Sequence, residues 1–89
     1  MSDNIPGIFR NNYSGSGNKE ITDTIDLRSI VIKNDGGGDI SLEVELLTGD
    51  KKIIAVRDGE GFEEMFPPFR KVKITTIAEY RIYTRAVTV

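Results

Sequence analysis

The chain has no cysteine, no histidine and no tryptophan, and only three prolines among its 89 residues. Without cysteine it cannot be stapled by disulfides, and without a histidine–cysteine set it has no ordinary structural zinc site. The same absences remove the usual general base, the usual thiol nucleophile and most iron and copper sites. No apolar run exceeds a few residues, so no segment reads as a membrane-spanning helix. Met1-Ser2-Asp3-Asn4 has neither the basic region nor the apolar stretch of a secretory signal, which points to synthesis in the cytosol. Acids and bases are interspersed and sum to −2, poor footing for a protein that must neutralise phosphates.

Eighty-nine residues make one domain. A chain this short hides only about 60–65% of its unfolded surface, and its apolar burial barely offsets its chain entropy. The balance can be met by well-packed strands or by association with copies of itself or with a host assembly. We expect association.

What the chain does have is a period of two and many β-branched residues from Glu20 onward. Ile40, Leu42, Val44 and Leu46 alternate with Ser41, Glu43 and Glu45, giving a strand with one buried and one wet face. Leu27 to Asn34 gives another, with Ile30 and Ile32 pointing inward, and Ile21 and Ile25 begin a strand ahead of it. Lys52 to Arg57 gives a fourth. Its core, Ile53-Ile54-Ala55-Val56, is apolar on both faces and suggests burial on both sides or a place against a partner.

Gly61 to Phe66 carries Phe62 and Phe66 on one face. Arg70 to Ile77 sets Val72, Ile74 and Thr76 against Lys71, Lys73 and Thr75, and Glu79 to Val89 sets Tyr80 and Ile82 against Arg81, Tyr83 and Arg85. Turns fall at Asn34–Asp39, Thr48-Gly49-Asp50 and Arg57–Gly61, while Pro67-Pro68 must interrupt pairing. This spacing predicts an all-β fold, a small antiparallel sandwich or barrel of six to seven short strands spanning residues 20–89.

Residues 1–19 read differently. Asn11 to Asn18 is rich in small polar residues and follows a short apolar cluster around Pro6-Gly7. The segment reads as an extended, flexible arm with Ile5, Ile8, Phe9 and Tyr13 as anchors for a partner, residue types that carry interface energy.

Catalytic and cofactor sites are not expected. Glu63 and Glu64 are adjacent in a strand and point to opposite faces, so they cannot act as a carboxylate pair on one substrate. Asp35–Asp39 and Asp58–Glu60 resemble calcium loops only in composition and lack the alternating ligands such a loop needs. Gly36 to Gly38 lack the Lys-Ser/Thr that completes a phosphate loop. Arg70, Lys71, Lys73, Arg81 and Arg85 would form one basic surface if the last two strands paired, with Phe69, Tyr80 and Tyr83 placed for base stacking. Cross-strand pairing of these bases with Glu43 and Glu45 is an equally natural use of them. Tyr13, Tyr80 and Tyr83 could alternatively stack on sugar rings.

Four stretches carry a resemblance: Ile25 to Gly36 (IDLRSIVIKNDG), Asp39 to Val44 (DISLEV), Asp58 to Phe69 (DGEGFEEMFPPF) and Val72 to Thr76 (VKITT). Together they resemble small accessory β-domains of tailed-bacteriophage virions. The resemblance implies a non-enzymatic capsid-decoration, neck or tail-associated component without a cofactor, resident in the virion. Its implied partners are copies of itself and other virion proteins, bound in part through the arm, and not membranes or nucleic acid. A carbohydrate- or host-surface-binding module is the alternative, and a single-strand-binding barrel a more distant one.

Overall fold

In the computed structural model, which describes the backbone of residues 8–86 and the side chains of 11–86, two of the strands are longer than the molecule has room for. The strands are β1 (Ile8–Ser16), β2 (Lys19–Gly36), β3 (Ile40–Leu46), β4 (Lys51–Val56), β5 (Gly61–Thr75) and β6 (Glu79–Ala86). At about 3.3 Å per residue, the 18 residues of β2 would reach about 60 Å, yet the longest axis of the molecule is 38 Å. Both ends of β2 in fact meet the same turn. Asn18 Oδ1, just before β2, accepts a hydrogen bond from the Thr76 N–H at 2.9 Å, and Gly36 pairs with Glu79. The strand doubles back on itself.

β5 follows it, because the two strands form one antiparallel ladder from Lys19↔Ile74 to Lys33↔Gly61. The fold-over has local causes. Between Thr22↔Lys71 and Leu27↔Phe69, β2 spends more residues than β5, and Asp23 Oδ1 caps the resulting bend by accepting from the N–H groups of Thr24 and Ile25 at 2.7 and 3.3 Å. Between Leu27↔Phe69 and Ser29↔Met65 the excess lies on β5, where Pro67 and Pro68 can donate nothing to the ladder. The expected pairs of short strands at 21–25 and 27–34, and at 61–66 and 70–77, are therefore single bent strands. Pro67-Pro68 makes a bulged corner and not a chain reversal.

One six-stranded antiparallel sheet, in the order β1-β6-β2-β5-β3-β4, thus closes on itself as a two-layer sandwich 17 Å thick. The first layer holds β1, β6, residues 29–36 of β2 and 61–66 of β5, with the Leu27↔Phe69 pair at the corner. The second holds residues 19–22 of β2, 69–75 of β5, β3 and β4. Between them lie the inward positions read from the alternation: Ile30, Ile32, Leu42, Val44, Val72, Ile74 and Ile82 are each 1% exposed or less. Phe66 and Phe69, on opposite sides of the double proline, both reach the core and meet edge-to-face at 5.7 Å. The corner resets the alternation, so residues three apart share one side.

Two expectations are corrected by the strand pairing. Residues 8–16, read as part of a flexible arm, form β1, an edge strand paired to β6 from Ile8↔Ala86 to Ser16↔Glu79. Their small polar side chains alternate on the outer face, while Tyr13 supplies the apolar contact inward. β4 is not buried on both faces. Among the described residues it pairs with β3 alone, leaving Ile53 72% exposed, Ile54 half-buried against the core and Val56 buried.

Candidate interaction surfaces

The anchors expected in the arm are dispersed by β1. Ile5 lies outside the described residues. Ile8 and Phe9 are placed by their backbone opposite Ala86 and Arg85. Tyr13 turns inward: it packs against the core, its ring centroid is 5.8 Å from that of Tyr80, and Lys19 Nζ lies 4.2 Å above it. Gly15 makes this possible, since a Cβ there would fall 2.5 Å from Tyr13 Oη. The β1 ladder also skips between Arg10↔Thr84 and Tyr13↔Ile82, and Asn11 sits in that bulge at φ 55°. Its amide donates to Asp23 Oδ2 at 3.0 Å and Thr84 Oγ1 at 3.1 Å, tying β1 to the bend of β2. Asparagine tolerates the left-handed conformation because its amide can satisfy local partners.

The three tyrosines part company. Tyr80 is 1% exposed and its hydroxyl donates to the Gly17 carbonyl at 3.0 Å, so it is a core residue and cannot stack on a base or a sugar. Burial, and secondarily the neighbouring Tyr13, raise its pKa above the usual phenol value. Tyr83 is half-buried like Tyr13, but lies on the outer side of β6.

The single basic surface does not form. β5 and β6 are separated by β2, and four of the five bases make an ion pair with an acid. Arg70 pairs with Asp26 and Arg85 with Glu63, both at 2.9 Å, and Lys71 pairs with Glu20 at 3.5 Å. Arg81 binds Asp35 through Nε and Nη2, both at 2.9 Å, and that pair raises the pKa of Arg81. On the outer face of the second layer Lys73 stands between Glu20 and Glu43, and Lys71 lies opposite Glu45. The result is a lattice of alternating charge, as the pairing of these bases with Glu43 and Glu45 implied.

The acidic turns have structural roles. Asp39 Oδ1 accepts from the Asp58 N–H at 3.0 Å, joining the two glycine turns. Among the described residues no group of three or more acids is placed to hold a metal ion. Glu63 and Glu64 lie opposite Val31 and Ile30 on successive positions of β5, with Glu63 engaged by Arg85.

Two surface features remain. One is β4, whose outer edge carries no strand among the described residues and whose outward centre is Ile53. The other is a shallow depression on the outer face of the first layer, lined by Asn12 and Ser14 of β1, Val31 and Lys33 of β2, and Arg81 and Tyr83 of β6. Alternation alone marks Val31, Lys33, Arg81 and Tyr83 as outward. Their juxtaposition requires β2 and β6, far apart in sequence, to be neighbours.

Comparison with protein-family models, with curated proteins and with solved structures gave no match to this chain.

Proposed function

We propose that the chain is a non-enzymatic structural protein of a phage virion that packs against copies of itself or other particle proteins. The observation that supports assembly is the β4 edge. Its outward backbone N–H and C=O groups have no strand to pair with among the described residues, and edges of this kind accept an added strand from another chain. Ile53 at its centre, 72% exposed, gives such a contact apolar area to bury.

Self-pairing is chemically consistent. In an antiparallel β4–β4 pair centred on Ile53, Ile53 faces its own symmetry mate, Lys51 faces Ala55 and Lys52 faces Ile54, so no like charges stand opposite one another. The virion setting is supported by the sequence resemblance.

Sedimentation equilibrium of the whole chain is the test. The expected result is a mass above that of the monomer for the natural sequence and a monomer for Ile53→Lys, with the β circular-dichroism signal unchanged. Identical masses for the two proteins would remove the β4 edge as the contact.

A further inference from the structure

We propose that the depression around Tyr83 binds an acidic saccharide, a pyranose ring carrying a carboxylate. This surface is on the opposite layer from β4 and makes a separate contact.

Its floor is a cross-strand pair: Tyr83 on β6 lies directly opposite Val31 on β2. Both are half-buried, which leaves an aromatic and an aliphatic surface accessible side by side. The Arg85 guanidinium, 5.9 Å from the ring centroid of Tyr83 and held by Glu63, fixes one flank of the ring. A sugar presents a C–H-rich face that packs on such a ring, and its hydroxyls then need polar partners around the edge. Asn12 and Ser14, both exposed on β1, supply an amide and a hydroxyl along one side of the depression.

The charge at the remaining end selects the ligand further. Lys33 and Arg81 stand directly opposite each other across β2 and β6, and like charges in that relation are unfavourable. Arg81 is compensated by its two-point pair with Asp35. Lys33 has no carboxylate within ion-pair distance among the described residues; its ammonium donates to the Gly59 carbonyl at 2.6 Å and keeps two further protons to give. The depression is therefore lined by an aromatic platform and by one lysine whose charge no carboxylate compensates among the described residues. A single carboxylate matches it. A nucleic-acid strand, which brings a charge with every nucleotide, meets arginines that are already paired.

The test is ligand-observed NMR and equilibrium dialysis of the whole chain with sialyllactose and trigalacturonate, against lactose as the neutral probe. At least one acidic probe should bind about tenfold more tightly than lactose, the factor expected for one exposed charge-assisted contact. Lys33→Gln should reduce that preference to about unity. Tyr83→Ala should weaken binding of the acidic probe about tenfold, while Tyr83→Phe, which keeps the ring, stays within about threefold. Ile53→Lys, on the other layer, should leave saccharide binding unchanged whatever it does to the sedimenting mass.

Four outcomes would overturn the proposal. They are no binding of either acidic probe, equal binding of lactose, binding indifferent to Tyr83→Ala in a variant with unchanged circular dichroism, or displacement of the saccharide by oligo-deoxythymidylate with a steep salt dependence. The last would assign the surface to single-stranded nucleic acid.

Discussion

The side-chain amide of Asn34, on β2, donates to the backbone carbonyl of Val56, at the end of β4, at 3.1 Å, joining the two layers of the sandwich through a fully buried contact. The same amide donates to the Gly38 carbonyl at 2.8 Å, and Asn34 Oδ1 accepts from the Gly36 N–H at 2.9 Å. Three backbone groups of two turns thus depend on one side chain. Replacing Asn34 by Ala leaves the Val56 and Gly38 carbonyls without that donor and should lower the unfolding free energy by about 2–4 kcal/mol. Urea unfolding should show a lower midpoint with an unchanged slope.

Asn11 separates conformation from hydrogen bonding. Asn11→Ala loses both side-chain bonds and places a non-glycine residue at φ 55° with no local partner. Its cost should be about 2–3 kcal/mol. Asn11→Gly loses the same bonds but relieves the backbone, and should be less damaging than Asn11→Ala by about 1 kcal/mol. Equal midpoints for the two variants in thermal unfolding would show that the bulge stores no strain.

Tyr80 makes the fold sensitive to alkali. Its pKa in the fold is raised by burial, and then by Tyr13, so the native state holds this proton more tightly than the unfolded chain does. The native state therefore binds more protons above the unfolded value of about 10, and stability falls as pH rises through that value towards the raised one. Below it the contribution is fully present. Tyr80→Phe should flatten this loss above pH about 10, measured by urea midpoints, at a cost of about 1 kcal/mol at neutral pH for the bond to Gly17.

The charged lattice on the second layer sets a test of cross-strand pairing. Lys73→Glu removes the base that stands between Glu20 and Glu43 and leaves three acids side by side across β2, β5 and β3. It should destabilise the fold by about 0.5–1 kcal/mol at low salt. Adding Glu43→Lys should recover part of that loss. Both effects should shrink at about 1 M salt, where screening extends over only about 3 Å.

Ser29 carries a buried hydroxyl that makes no hydrogen bond among the described residues. Removing a polar atom that was desolvated without compensation favours the fold, so Ser29→Ala should raise stability by about 0.5–1 kcal/mol in the same urea measurement.

How far the fold can be read from residues alone depends on how local each choice is. Ile40, Leu42, Val44 and Leu46 are buried as their alternation requires, because the period of a strand is a property of its own backbone. The turns at Gly49, φ 97°, and Gly59, φ 80°, are equally local, since glycine enters the left-handed region without a steric cost. β1 is less legible, because its outward side chains have the composition of a loop and its pairing with β6 joins chain segments about 70 residues apart. Tyr13 reads as a partner-binding anchor for the same reason: nothing nearby in sequence announces that its ring lies over Gly15 and against Tyr80.

Residue type and near neighbours alone set the all-β class, the inward faces, the turn positions and the chemistry the chain lacks. Contacts between distant segments set the rest. They place β2 between β5 and β6, and bring Arg70, Arg81 and Arg85 each to an acid instead of to one basic face. They also bring Tyr83 and Val31 side by side next to Lys33. Pairing between distant strands is set by the best burial of the whole sheet, and no single segment carries that information.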